Sequence, residues 1–95
     1  MHVVNFVTGN DETSFIIEAD GKQIAEMEVG IRNQEMTVYH TGVEPEFEGQ
    51  GIARRLLDAA AEHARKSDLM IVPLCPYVLA QFKKHPDEFS DIWKK

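Results

Sequence analysis

The sequence is short of cysteine, of long apolar runs and of positive charge, and each shortage excludes a class of protein. Cys75 is the single cysteine, so no disulfide can form within the chain, which predicts a reducing environment. No apolar stretch is long enough to cross a bilayer, and the first residues lack the basic region and apolar run of a secretion signal. The formal net charge of −6 argues against a nucleic-acid partner, because neutralising phosphates needs a basic surface. We therefore expect a cytoplasmic protein with no membrane segment and no nucleic-acid partner.

The length of 95 residues predicts a single domain spanning residues 1–95, because a chain this short builds one core. The strand-like runs of the first half are Val3–Val7, Ser14–Ala19, Gln23–Ile31 and Glu35–Val43. Asp20-Gly21 lies between the second and third runs and favours a two-residue type I′ hairpin turn. Alternation along the fourth run places Met36, Val38 and His40 on one face.

Helical periodicity begins after Gly51, where the apolar spacing changes from two residues to about 3.6. Glu62 and Lys66 are four residues apart in the favourable order for an ion pair on this helix. The apolar stripe consists of Ile52, Ala53, Leu56, Leu57, Ala60 and Ala64.

The last third of the chain predicts a strand followed by two short helical pieces. Leu69–Val72 is a short apolar strand, and Cys75-Pro76 begins the next helix because proline is well suited to the first helical position. The element order is therefore β-β-β-β-α-β-α, an α+β fold in which helices pack on a mixed, mostly antiparallel sheet. A final helical turn is predicted from the spacing of Phe89, Ile92 and Trp93.

Gly49 and Gly51 precede the long helix, and Arg54 and Arg55 stand in its first turn. Cations are mildly unfavourable there, because the helix dipole is positive at its N-terminus. One interpretation is structural: the glycines serve the turn, and Asp58 pairs with the arginines. The other is an anion site, in which backbone amides cradle a phosphate that the arginines help to neutralise. The residues alone leave both interpretations open.

The spacing of the glycines fits neither a P-loop nor a dinucleotide-binding fingerprint. The segment Val43–Ala53, VEPEFEGQGIA, instead resembles motif A of the GNAT superfamily of acetyl-CoA-dependent N-acetyltransferases. That motif reads Val-x-Pro, then Arg/Gln-x-x-Gly-x-Gly/Ala, and joins a strand to a helix. Glu48 stands where the family usually has Arg or Gln. The matching positions are Val43, Pro45, Gly51 and Ala53.

The resemblance, which covers about Thr37–Phe82, implies that acetyl-CoA or CoA is the co-substrate. It implies a splayed sheet, with acetyl-CoA entering between the strands that end at Val43 and Val72. The pantetheine arm would pair with the strand edge near Thr41 and Val43. The diphosphate would bind to the loop and first helical turn, at Glu48, Gly49, Gln50, Gly51, Ile52, Ala53, Arg54 and Arg55.

The implied function is transfer of acetyl to a primary amine, on a small molecule or a protein lysine. The sequence is similar to a small single-domain subgroup that has a cysteine after the last core strand. The alternative is a catalytically weak or inactive module that binds CoA or acyl-CoA. Two departures favour that alternative: Phe82 stands where many members have the tyrosine that protonates the leaving thiolate, and the helices that build the acceptor pocket are missing.

Two residues are candidates for the chemistry of acetyl transfer. His40 can act as a base because imidazole titrates near neutral pH, although a histidine that alternates with core residues also fits a structural role. Cys75 precedes a helix whose dipole can stabilise a thiolate, although free cysteines are often simply buried. The subgroup implies that Cys75 lies beside the acetyl group, either as a nucleophile or as part of the channel wall. Tyr77 is either a source of a hydroxyl or a rim residue. No pair of histidines has metal-ligand spacing, so we expect no metal.

Overall fold

The structure, a computed structural model, describes residues 3–8 and 13–95. Within these residues one sheet has the strand order β1-β2-β3-β4-β5, in which the first three pairs are antiparallel and β4 and β5 are parallel. The mixed, mostly antiparallel sheet predicted from the sequence is confirmed. The strands are β1 (Val4–Thr8), β2 (Thr13–Ala19), β3 (Lys22–Arg32), β4 (Glu35–Val43) and β5 (Met70–Pro73), and the helices are α1 (Ile52–Lys66), α2 (Pro76–Lys84) and α3 (Pro86–Phe89).

The hairpin between β2 and β3 has the predicted turn. Asp20 and Gly21 both adopt positive φ, 53° and 79°, as a type I′ turn requires at its two central residues. The turn fixes the pairing of Ala19 with Lys22 at the end of the two strands.

A β-bulge in β4 reverses the face on which His40 lies. Val38 pairs with Val29, but the next pair joins His40 to Glu28, so Tyr39 is an extra residue on β4. Val38 is fully buried, whereas His40 is exposed. The prediction that His40 shares a face with Val38 is therefore wrong, because one extra residue shifts the alternation by one position. We call the face that carries Val29 and Val38 the inner face and the opposite one the outer face.

Helix α1 packs on the inner face and contacts each of the five strands of the described sheet. Glu62 and Lys66 form the predicted ion pair at 2.9 Å. Ala53 is half-buried, so the apolar stripe is confirmed with Ala53 at its margin. The buried residues of the helix are Ile52, Leu56, Leu57, Ala60, Ala61 and Ala64.

The C-terminal segment, namely residues 86–95, ends alongside β5. Trp93 forms a parallel bridge with Ile71, and the Lys94 N–H donates to the Ile71 carbonyl at 2.8 Å. The prediction of a final helical turn through Ile92 and Trp93 is wrong in its placement, because α3 ends at Phe89 and the last residues extend along the sheet. The edge of β5 supplies partners for backbone groups that a further helical turn would have satisfied internally.

The helix after β5 begins where the sequence predicts. Cys75 is the N-cap of α2 and Pro76 its first residue, whereas β5 lies one residue later than predicted. None of the helices in residues 3–8 and 13–95 has the length and apolar character needed to cross a bilayer.

Candidate active site

Strands β4 and β5 separate part-way along β4. Their last register pair joins Val38 to Pro73, and the Cys75 N–H donates to the Val38 carbonyl at 2.9 Å. From there the chain turns into α2, whereas β4 continues to Val43. In the part of the chain that the structure describes, the β5-facing edge of residues 39–43 has no strand partner. The sheet therefore has an open edge beside the second half of β4.

A cleft of about 540 Å³ lies between this open edge and the start of α1. Gln50 and Arg55 belong to the same loop and helical turn but do not line it. Three further residues, Gly42, Phe47 and Tyr77, line the cleft, and the family motif did not predict Gly42 or Phe47 as part of the site. The cleft brings together the other residues predicted to bind the cofactor, namely Thr41, Val43, Glu48, Gly49, Gly51, Ile52, Ala53 and Arg54.

The loop before α1 has free hydrogen-bond donors. The first helical bond runs from the Arg55 N–H to the Gly51 carbonyl at 3.2 Å, and the backbone N–H groups of residues 49–54 have no acceptor among the described residues. Gly49 and Gly51 have φ of 81° and 76°, and a Cβ added to either would meet no atom within 4 Å. The glycines thus satisfy a strained turn and also leave the space around the amides open. The two interpretations of the glycines are compatible, and the loop can cradle an anion.

The two arginines differ in their surroundings. Arg54 donates from Nε to Asp58 at 2.8 Å and from Nη2 to Glu88, and its guanidinium carbon lies 5.2 Å from the centroid of the Phe89 ring. The hydrogen bonds to Asp58 and Glu88 raise the pKa of Arg54. Arg55 forms no ion pair with any described residue. The predicted pairing with Asp58 is confirmed for Arg54 only.

Cys75 lies directly behind the wall of the cleft. Its side chain is 3% exposed, and its Sγ donates to Thr41 Oγ1 at 3.3 Å. Thr41 lines the cleft and Cys75 does not. The thiol is therefore connected to the cleft through its hydrogen bond to the Thr41 side chain, which lies at the open edge of β4.

Tyr77 and Phe82 lie on the same helix in different environments. Tyr77 lines the cleft, and its burial raises the pKa of the phenol, so the hydroxyl stays protonated at neutral pH. Phe82 is fully buried, with its ring centroid 4.8 Å from that of Phe89 and 5.5 Å from that of Trp93. The position at which the family usually has a tyrosine is thus part of the core, and the tyrosine that lines the cleft is Tyr77.

His40 lies on the outer face, behind the cleft. A Cβ added to Gly42 would be 3.2 Å from His40 Nε2, so the imidazole covers the backbone of a residue that lines the cleft. The open edge of β4 is the place where groups from both faces can meet. No three His, Cys, Asp or Glu residues of the described chain are placed to hold a metal ion.

Comparison with solved structures shows that this architecture is the N-acetyltransferase fold. Residues 14–92 match the family described as GCN5-related N-acetyl-transferase, so the chain belongs to that family. The resemblance at Val43–Ala53 is thereby confirmed. No curated protein sequence matches the chain significantly.

Three solved structures illustrate the likeness. A GCN5-like protein from Staphylococcus aureus superposes with a TM-score of 0.69 at 28% identity, over 95% of this chain and 87% of its own. The ribosomal-protein-S18-alanine N-acetyltransferase from Escherichia coli superposes with a TM-score of 0.63 at 22% identity, over 70% of this chain. This chain spans only 43% of that enzyme's length. An aminoglycoside N-acetyltransferase in complex with CoA gives 0.59 at 19% identity, over 92% of this chain and 71% of its own.

Proposed function

We propose that this protein is an acetyl-CoA-dependent N-acetyltransferase that transfers acetyl to a primary amine, on a small molecule or a protein lysine. The observation that carries the proposal is the run of backbone amides at residues 49–54 that have no acceptor in residues 3–8 and 13–95, beside a cleft that borders the open edge of β4. Membership of the family supports it, as does the CoA complex of an aminoglycoside N-acetyltransferase with the same fold.

The residues of the loop fit the diphosphate of CoA. The amides of residues 49–54, the N-terminus of the 15-residue helix α1 and the side chain of Arg55, which forms no ion pair with a described residue, together favour two or more negative charges there. Glu48 lines the cleft, but its N–H donates to the Pro45 carbonyl at 3.2 Å, so the run of available amides begins at Gly49 and does not include Glu48. The backbone of Thr41 and Val43 would pair with the amides of the pantetheine arm.

The chemistry needs a base for the amine and an acid for the leaving thiolate. His40, on the outer face, would take a proton from the ammonium form of the acceptor, and the neutral nitrogen would then attack the thioester carbon. As the carbon–sulfur bond breaks, the Tyr77 hydroxyl would give its proton to the departing sulfur, and the nitrogen would lose its second proton to the tyrosinate. Exchange with solvent would remove the proton held by His40. Cys75 supports Thr41 in the wall of the channel in this direct route, and no acetyl-cysteine forms.

The second candidate function is a CoA-binding module with little or no catalysis. The buried position of Phe82 favours it, because the residue that supplies the thiolate's proton in many family members is here part of the core. A binding module and an enzyme share the cleft and differ in turnover.

The experiment that separates the two functions measures CoA release from acetyl-CoA. The purified protein is incubated with acetyl-CoA and with lysine, spermidine or a lysine-containing peptide, and CoA affinity is measured in parallel by calorimetry. Amine-dependent CoA release supports the enzyme. Binding of CoA without release supports the module, and absence of CoA binding defeats both.

We infer that residues 1–95 act as one domain in a reducing compartment such as the cytoplasm, because the Cys75 thiol is free and the buried residues form one cluster. The net charge of −6 favours a cationic amine acceptor over a nucleic acid.

A further inference from the structure

Arg54 lies where the cleft meets the C-terminal segment, and side chains from both parts hold it. Asp58 on α1 accepts a hydrogen bond from Nε at 2.8 Å, and Glu88 on α3 accepts one from Nη2. The ring of Phe89, also on α3, lies under the guanidinium at 5.2 Å and is only 1% exposed. Arg54 is the basic residue among those that line the cleft in the described chain.

These contacts hold the guanidinium from two elements. Asp58 lies one turn further along α1, and Glu88 and Phe89 belong to α3, so the position of the side chain is fixed by both. The two carboxylates occupy two of the five N–H donors of the guanidinium, and the remaining donors are available to an anion.

We propose that Glu88 is a positioning residue for the cofactor, which holds Arg54 in the orientation that meets the diphosphate of CoA. The inference rests on the proposed function of the cleft. An arginine whose side chain is already held in place loses less conformational entropy when an anion binds, and this smaller entropy loss increases the affinity for the anion.

A purely structural tie between α1 and the C-terminal segment is the competing explanation, and the chain contains a matched control for it. Arg65, near the other end of α1, pairs with Asp91 at 2.9 Å and donates to the Glu88 carbonyl at 2.8 Å. This second pair joins the same two parts of the molecule. Neither Arg65 nor Asp91 lines the cleft.

The test measures the dissociation constant of CoA by calorimetry, together with the thermal midpoint, for the wild type, Glu88→Ala and Asp91→Ala. We expect Glu88→Ala to weaken CoA binding about fivefold, as for release of one immobilised side chain. Asp91→Ala lowers the thermal midpoint and leaves the dissociation constant unchanged. In an Arg54→Ala background, Glu88→Ala has no further effect on affinity, because Glu88 acts through Arg54.

Equal or tighter CoA binding by Glu88→Ala, or the same loss of affinity in the Arg54→Ala background, overturns the inference and leaves the proposed function standing. A wild-type protein that does not bind CoA overturns both. Should Glu88→Ala fail to fold, Glu88→Gln keeps the length and a hydrogen-bond acceptor. It is expected to weaken CoA binding to a smaller degree, and unchanged affinity there again contradicts the inference.

Discussion

Glycine suits position 51, at the start of α1, for two reasons. Its φ of 76° is one that other residues rarely adopt, and its lack of a side chain leaves open space beside an amide that has no acceptor among the described residues. We predict that Gly51→Asp abolishes CoA binding, because it places a negative charge at the site of the diphosphate. Gly51→Asn is the matched control, since asparagine has the same size, tolerates positive φ and carries no charge. Calorimetry should show binding by Gly51→Asn and none by Gly51→Asp. Unchanged affinity of Gly51→Asp would defeat the assignment of the loop to a phosphate.

Cys75 is separated from the cleft by Thr41, whose hydroxyl accepts a hydrogen bond from the Cys75 thiol. We predict that Cys75→Ala retains part of the acetyl transfer activity, because the direct route needs no thiol. The variant loses one hydrogen bond, worth about 1 kcal/mol, so its free energy of unfolding falls slightly. Turnover and intact-protein mass spectrometry after acetyl-CoA treatment check this. Complete loss of turnover at unchanged CoA affinity, with an acetyl adduct on the wild type, would establish Cys75 as a nucleophile.

Tyr77 supplies the protonated hydroxyl at the cleft. We predict that Tyr77→Phe lowers kcat by on the order of a hundredfold, typical of the loss of a general acid, and leaves the dissociation constant of CoA unchanged. Tyr39→Phe is the control, because Tyr39 is a 55% exposed tyrosine outside the cleft. Equal kcat values for the wild type and Tyr77→Phe would assign the proton to another donor.

At the scale of elements, the bulge in β4 decides which residue of the candidate site lies on which face. Because Tyr39 is an extra residue, Thr41 projects from the inner face and His40 from the outer face next to the open edge. Thr41 and Cys75 thereby approach that edge from the inner face, and His40 approaches it from the outer face. Without the extra residue, His40 would enter the core.

Helix α1 and the C-terminal segment are joined by an ion pair whose effect depends on pH. The hydrogen bond from Arg65 holds the pKa of Asp91 below its ordinary value. Because the folded-state pKa is the lower one, ionised Asp91 stabilises the fold above the ordinary aspartate range, and this contribution is lost as pH falls through the lowered pKa. The pair is exposed, so its contribution is below about 1 kcal/mol.

We therefore predict that Asp91→Asn lowers the free energy of unfolding at pH 7 by less than about 1 kcal/mol. The difference from the wild type should shrink as pH falls below the ordinary aspartate pKa of about 4 and vanish once the lowered pKa of Asp91 is passed. Urea unfolding of both proteins at several pH values measures the difference. A difference that stays constant down to the acid end would show that Asp91 contributes through packing and not through its charge.

At the scale of the whole molecule, a single hydrophobic cluster of described residues includes members of β2 to β5, of α1 and α2 and of the C-terminal segment. A domain of this size has a small free energy of unfolding, so a substitution in the core lowers the stability of the whole domain. The site depends on that cluster, because Phe82 and Phe89 join α2 to α3 and the Phe89 ring also lies under Arg54.

We predict that Phe82→Tyr, which restores the tyrosine usual in the family, lowers the free energy of unfolding by about 1–3 kcal/mol and does not raise kcat. The added hydroxyl would be buried at a position that is fully inaccessible and surrounded by aromatic rings. Phe6→Tyr is the control, because the Phe6 ring is 40% exposed and can hydrate the new hydroxyl. Denaturant unfolding and steady-state kinetics give the two quantities. A rise in kcat would place position 82 in the active site.

Local patterns predicted most of the secondary structure. The turn at Asp20-Gly21, the bounds of β4 and the start of α2 at Pro76 are where the sequence indicates, because each depends on neighbouring residues. The resemblance at Val43–Ala53 predicted the loop and most of the residues that line the cleft, but not Gly42 or Phe47. The spacing of Phe89, Ile92 and Trp93 did not predict that Trp93 extends along β5, because this conformation depends on a strand edge more than twenty residues away in the sequence.

The sequence by itself determined the order of the elements, the amphipathic face of α1 and the glycine turn before it, since periodicity, glycine and proline act within a few residues. Only the tertiary structure decided the face of His40, the separate surroundings of Arg54 and Arg55, and the burial of Phe82. Those three depend on which residue of one element meets which residue of another: the register of β4 against β3, the reach of Glu88 from α3, and the aromatic contacts of α2. Pairing between elements follows from the packing of the whole chain, and no short stretch of sequence contains it.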